Sequence, residues 1–157
     1  MAEVVTLKVE GMDELLRVAK QLDRDVRSKL LRKSVGRGAS VVAKRAKELV
    51  PVHTGILRKS IRIRTFKPQG FEAEAVAQAG GGKAYYAHML EFGTHDHAVG
   101  AGSNRSSGKQ YGRTVKGVKA THFMTYAFYQ TEQEQIDAIA KALAIGIFKE
   151  LHYIGKA

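Results

Sequence analysis

The sequence predicts an α+β fold, a small antiparallel β-sheet of about three to four strands packed against two N-terminal helices and a long C-terminal helix. Three observations predict it. Apolar residues recur at spacings of three and four over 12–22, 24–49 and 123–151, which is the period of a helix buried on one face. Apolar and polar residues alternate in "VVTLKVEG", "IRIR" and "FEAEAVAQA", the period of a half-buried strand. Residues 95–119 follow neither period and are rich in Gly, Ser, Lys and Arg, so a long loop is expected before the last helix.

Taken in order, "VVTLKVEG" reads as a first strand stopped by Gly11. "MDELLRVAKQL" then sets Met12, Leu15, Leu16, Ala19 and Leu22 on one helical face. A second, longer helix is expected from about Arg24 to Leu49, with Val26, Leu30, Leu31, Val35, Ala39, Val42, Ala46 and Leu49 as its apolar stripe. Gly36 and Gly38 interrupt it at a cost of up to about 1 kcal/mol each relative to Ala, which calls for a close helix crossing or a kink. Pro51 ends the helix, because the residue before proline is pushed towards extended backbone.

Thr54-Gly55 reads as a turn and Ile61–Arg64 as a strand. A connection around Pro68-Gln69-Gly70 makes a hairpin with 71–79, in which Arg62 and Arg64 would face Glu72 and Glu74. "AYYAHMLEF" reads as a third strand, and Ile136, Ile139, Ala140, Leu143, Ile147 and Leu151 as the stripe of the closing helix. At 157 residues the chain suits one domain, 1–157, able to bury about 68–70% of its unfolded surface.

Charge is the unusual bulk property: 26 Lys and Arg stand against 15 Asp and Glu, a net +11. Between Val26 and Lys67 thirteen basic residues face a single acid, Glu48. A block so one-sided points to a polyanionic partner, either an acidic protein face or nucleic acid met at its phosphates. Phe66 is the only aromatic inside the block, so no base-stacking platform is present. The absence of cysteine excludes disulfides, thiolate metal sites and Cys nucleophiles. No run approaches the roughly 20 apolar residues of a membrane span. The start lacks the basic and apolar regions of a signal peptide, so export by that route is not expected.

Catalytic readings find little support. "EFGTHDH" gathers Glu91, His95, Asp96 and His97, with His53, His88 and His122 elsewhere, yet no helical ligand pair such as HExxH occurs. The expectation is polar residues at the root of a loop, with no metal and no cofactor. No serine lies in a G-x-S-x-G elbow, and "GAGSNRSSGK" does not fit a phosphate-binding loop. Glu72 and Glu74, or Glu132 and Glu134, are too readily explained by arginines and by a solvated helix face to be a nuclease centre.

Three stretches carry a resemblance: "VEGMDELLRVAKQL", "ELVPVHTGILRKSIRIR" and "YYAHMLEFGT". In this order and spacing the chain resembles the tail-completion, or head–tail joining, proteins of long-tailed bacteriophages, a family of tail components. The middle motif is matched by Pro51, Val52, Thr54, Gly55, Leu57, Arg58, Ser60 and Ile61, with His53 where the family usually has Asp. The third motif is matched by Tyr86, Ala87, Glu91, Phe92, Gly93 and Thr94. "ATHFMTYA" stands where the family commonly has a proline-bearing entry to its last helix.

The resemblance implies a non-enzymatic structural protein of the virion, made in the bacterial host cytoplasm and placed in the phage neck. It would be one subunit of a homo-oligomeric ring, a hexamer in preference to a dodecamer, joining head connector to tail tube. Glu91–Thr94 would then close the sheet, and His95-Asp96-His97 would begin a variable loop. Candidate contacts to ring neighbours, or to DNA in the channel, are Arg58, Lys59, Arg62, Arg64, Arg105, Lys109, Arg113 and Lys116. A non-sequence-specific DNA-binding protein is the alternative reading.

Overall fold

The computed structural model describes Arg17 and residues 22–69, 72–99 and 113–154. The expected first strand and nearly all of the first helix lie outside the described residues. Helix α1, Arg24–Leu49, organises the rest. It starts at Asp23, whose side chain accepts from the Asp25 amide at 3.1 Å, and stops at Val50, whose φ of −64° and ψ of 131° are the extended backbone that Pro51 demands.

The remaining elements follow in sequence. They are α2 (Ile56–Ser60), strands β1 (Arg62–Thr65) and β2 (Ala75–Gln78), a 3-10 turn (Gly82–Ala84) and α3 (Ala87–Phe92). Strands β3 (His97–Val99) and β4 (Arg113–Val115), then helices α4 (Phe123–Gln130) and α5 (Glu132–Ile154), complete the chain. The α+β class stands, with a long C-terminal helix and small antiparallel sheets.

Two buried clusters lie along α1. Near its N-terminal end Leu30 and Leu31 pack with Leu22, Leu143 and Ile147, so α5 runs antiparallel to α1. Towards its C-terminal end Val42, Ala43 and Ala46 pack with Leu57, Ile61, Ala84, Ala87, Phe123 and Ala127. Gly38 explains how the helices approach: a Cβ there would lie 2.7 Å from Cγ1 and Cδ1 of Ile139. The close crossing is therefore the reason for that glycine. Gly36 has a different neighbour, since its Cβ would meet Thr65 of β1 at 3.1 Å.

Several expectations need correction. "AYYAHMLEF" is a 3-10 turn and a short helix, not a third strand. Ala84, Ala87 and Glu91 are buried at spacings of three and four, which is helical geometry. The sheets are accordingly two separate two-stranded hairpins, β1–β2 and β3–β4, among the described residues. The hairpin register also differs: Arg62 pairs with Gln78 and Arg64 with Val76, not with Glu72 and Glu74. Pairing continues through Phe66 and Glu74 and resumes at Gln69 and Glu72, leaving Lys67 and Pro68 opposite Ala73 alone. Pro68 has no amide hydrogen for the ladder, and an extra residue is accommodated there. The register follows from the turn, since closing the hairpin at Gln69 and Glu72 leaves Glu72 and Glu74 opposite Gln69 and Phe66.

Third, the described ends of the 95–119 segment are not loop alone. They contain β3 and β4, paired from His97↔Val115 to Val99↔Arg113. Fourth, the helix expected from Phe123 to Leu151 is broken at Thr131 (φ −112°, ψ 15°) into α4 and α5. Buried polar groups make the joint. Thr131 Oγ1 donates to the Ala127 carbonyl at 2.7 Å, and Gln135 Nε2 donates to the Phe128 carbonyl at 2.8 Å and to Thr131 Oγ1 at 3.1 Å. Leu151, expected on the buried stripe, is 45% exposed.

Candidate functional site

The two sequence motifs fold into two clamps. The first is built on Glu91, a carboxylate with only 6% of its surface exposed at the end of α3. Its Oε2 accepts from the Met124 amide at 3.0 Å, and its Oε1 accepts from the Thr125 amide at 3.0 Å and the Thr125 hydroxyl at 2.7 Å. It is the N-terminal cap of α4, supplied from 33 residues upstream. His122, which immediately precedes α4, sits in the left-handed region at φ 50° and brings no side-chain cap of its own. The remote carboxylate takes over that role.

The next residues hold the same junction. Gly93 (φ 76°, ψ 174°) lies so close to the returning chain that a Cβ would stand 2.9 Å from the Ala120 nitrogen and the Val118 oxygen. Thr94 donates its amide to the Val118 carbonyl at 2.8 Å, and its hydroxyl accepts from the Val118 amide at 2.9 Å. Asp96 Oδ1 accepts from the Gly117 amide at 2.6 Å. Leu90 and Glu91 carbonyls accept from the Thr121 and His122 amides. Residues 90–96 thus pin both roots of the β3–β4 hairpin and the start of α4.

The second clamp is "PVHTGILRKS". Gly55 adopts φ 73°, and the turn releases into α2, whose Leu57 is buried at 3% exposure. Ser60 donates to the Leu57 carbonyl at 2.7 Å and accepts from the Gly80 amide at 3.0 Å, tying α2 to the exit of β2. Ala87 closes this contact, since a Cβ on Gly80 would lie 3.1 Å from its own. Tyr86 packs half-buried on the same cluster and edge-on to Tyr85. Pro51, Val52 and Phe92 are exposed, so these motif positions present surface.

Two of the titratable residues of "EFGTHDH" have separate partners. Glu91 is committed to α4 and Asp96 to Gly117. His88 Nδ1 lies 2.9 Å from the Tyr85 carbonyl, and His122 stacks edge-on against Tyr126. Among the described residues no three His, Asp or Glu side chains are grouped to hold an ion.

The cations arrange differently. Arg62 and Arg64 project from one face of β1, and Arg58 and Lys59 are exposed on α2 beside it. Arg62 Nε and Nη2 reach the Gln78 carboxamide oxygen at 2.7 and 3.1 Å, and Arg64 lies over the Phe66 ring at 5.4 Å. Arg32 Nε donates to Thr65 Oγ1 at 2.9 Å, which brings one α1 cation to the same hairpin. Lys116 is exposed on the other hairpin, and Arg113 is placed by its backbone alone. Arg105 and Lys109 lie outside the described residues. Arg58, Lys59, Arg62 and Arg64 are thus exposed cations on two consecutive elements, α2 and β1.

A family model described as "Bacteriophage HK97-gp10, putative tail-component" matches residues 13–93, spanning both clamp motifs. The chain belongs to the HK97-gp10-like family. Comparison with curated proteins and with solved structures returned no match. In this HK97-gp10-like chain the matched segment ends at Gly93, where the first clamp grips Val118 and Ala120. The segment after it, Thr94 onwards, holds features that sequence reading left undivided: the β3–β4 pairing, the capped start of α4 and the Thr131 joint. The donors that Glu91 caps lie 33 and 34 residues away in the chain and the Val118 partner of Thr94 lies 24 away, so no local pattern announces these contacts. No described helix of the family member is long and apolar enough to cross a membrane.

Proposed function

We propose that this tail-component protein is a structural subunit of the phage neck, a ring protein that joins the head connector to the tail and completes the tail during virion assembly. The family match over residues 13–93 carries the reading. The two clamps support it, because the residues most distinctive in sequence act as caps, turns and hydrogen-bond bridges rather than as a reactive group. A ring needs a heterologous, head-to-tail contact between copies. The exposed cations of α2 and β1 are the candidates for contact with an acidic face of a neighbouring neck protein.

The test is the presence of the chain in purified virions, by mass spectrometry, with light scattering and negative-stain images of the isolated protein. Rings of six copies, or of twelve, together with presence in virions, support the assignment. Absence from virions overturns it.

A second reading, non-specific DNA binding, draws on the same four cations. It expects duplex affinity to fall with salt at a slope near −0.9 per phosphate neutralised. Tight binding at physiological salt, abolished by Arg62→Glu/Arg64→Glu, would favour it over protein contact.

A further inference from the structure

We propose that the groove between α1 and α5 is a docking site for an acidic amphipathic helix of a partner protein. The groove encloses about 690 Å³. Among the described residues its rim carries Lys29, Lys33 and Arg37 from α1 and Lys141 and Lys149 from α5, against one acid, Glu150. Its floor is apolar, formed by side chains such as Val41, Ala142 and Ile145. Ile145 is 60% exposed, and the neighbouring Phe148 on the outer side of α5 is 72% exposed. Along α1 the lining runs from Val26 to Val41, a span of about 22 Å at helical rise, which accommodates roughly four turns of a bound helix.

Charge and polarity together select the occupant. Phosphates of nucleic acid would satisfy the rim but leave Ile145 and Phe148 wet, with no gain from covering them. A second copy placed by a two-fold contact would set this cationic rim against itself. A helix with acids along its polar flanks and Leu-like side chains on one face answers both the rim and the floor. This site is on a different surface from the α2–β1 cations, and it stands or falls independently of the neck assignment.

The experiment uses the full-length chain and a fluorescein-labelled helical probe of about 18 residues, with leucines on one face and glutamates elsewhere. Two control probes replace the glutamates by lysines, or the leucines by serines. At about 150 mM salt, anisotropy should show the acidic amphipathic probe binding at least roughly tenfold more tightly than either control. Lys33→Glu/Lys141→Glu and Ile145→Glu, all at exposed positions, should each weaken it by roughly tenfold without moving the melting temperature. Arg58→Glu/Lys59→Glu on the other surface should leave it unchanged.

Absence of binding overturns the proposal. So does equal binding of the serine probe, an equal loss in Arg58→Glu/Lys59→Glu, displacement of the probe by a DNA duplex, or occupation of the groove by self-association that Ile145→Glu abolishes. A chain found in virions but failing this test would lose the groove and keep the neck role.

Discussion

Glu91 shows how one side chain can join parts of the chain that share no local pattern. Its two oxygens serve three donors on α4, and it is nearly excluded from water. Glu91→Ala would leave the Met124 and Thr125 amides without that partner, at the cost of about 0.5–2 kcal/mol that losing a helix cap carries. Urea unfolding should therefore show a clear fall in midpoint, with Glu91→Gln, which keeps an acceptor oxygen, falling less. Gly93 is required for two reasons at once, its backbone conformation and the proximity of Val118 and Ala120. Gly93→Ala is expected to cost at least about 1–3 kcal/mol from backbone strain, with the overlap added. Gly55 has only the first reason, since nothing lies within 4 Å of its Cβ position. Gly55→Ala should cost about 1–2 kcal/mol, and the difference between the two glycines in thermal unfolding checks the packing argument.

The crossing of α1 and α5 depends on the small residue at 38, where Ile139 occupies the space a side chain would fill. Gly38→Leu should force the helices apart and destabilise by about 1–3 kcal/mol or more, with a lower thermal midpoint. The outcome that would sink this account is an unchanged midpoint. The β3–β4 hairpin makes a contrasting case, because its roots are held from outside it by Thr94 with Val118 and by Asp96 with Gly117. Replacing residues 97–116 by a short Gly linker preserves those bonds, so circular dichroism and unfolding should stay close to the parent. On the neck reading the same deletion blocks head–tail joining in a complementation assay, and wild-type phage yield would remove the segment from that role.

For the molecule as a whole, the charge distribution separates two groups of cations. One is Arg58, Lys59, Arg62 and Arg64 on α2 and β1; the other is the cationic rim of the α1–α5 groove. Raising the salt concentration should weaken partner contacts at both, while the apolar part of any groove contact persists, because screening acts on exposed charges and not on buried apolar area. A purified subunit followed by light scattering through a salt series would show whether ring formation, on the proposed reading, has that electrostatic component. Unchanged assembly from low to high salt would remove these cations from the contact.

Much of this was legible before any coordinates. The periodicity of residues 24–49 marks α1, and Pro51 marks its end, because the helical stripe and the proline constraint are local properties of the chain. The clamp motifs were legible as family features, and Gly55 as a turn. The tertiary structure alone decided the rest. It made "AYYAHMLEF" a turn and helix, since a short apolar run suits either period until its packing partners are known. It closed the hairpin at Gln69 and Glu72, which leaves Glu74 opposite Phe66 and pairs Arg62 and Arg64 with Gln78 and Val76. It also made Glu91, expected to help close the sheet, the end of a short helix and the cap of a distant one. Such contacts join residues far apart in sequence, and their energies depend on which donors and surfaces folding brings within reach, which the order of residues along the chain does not display.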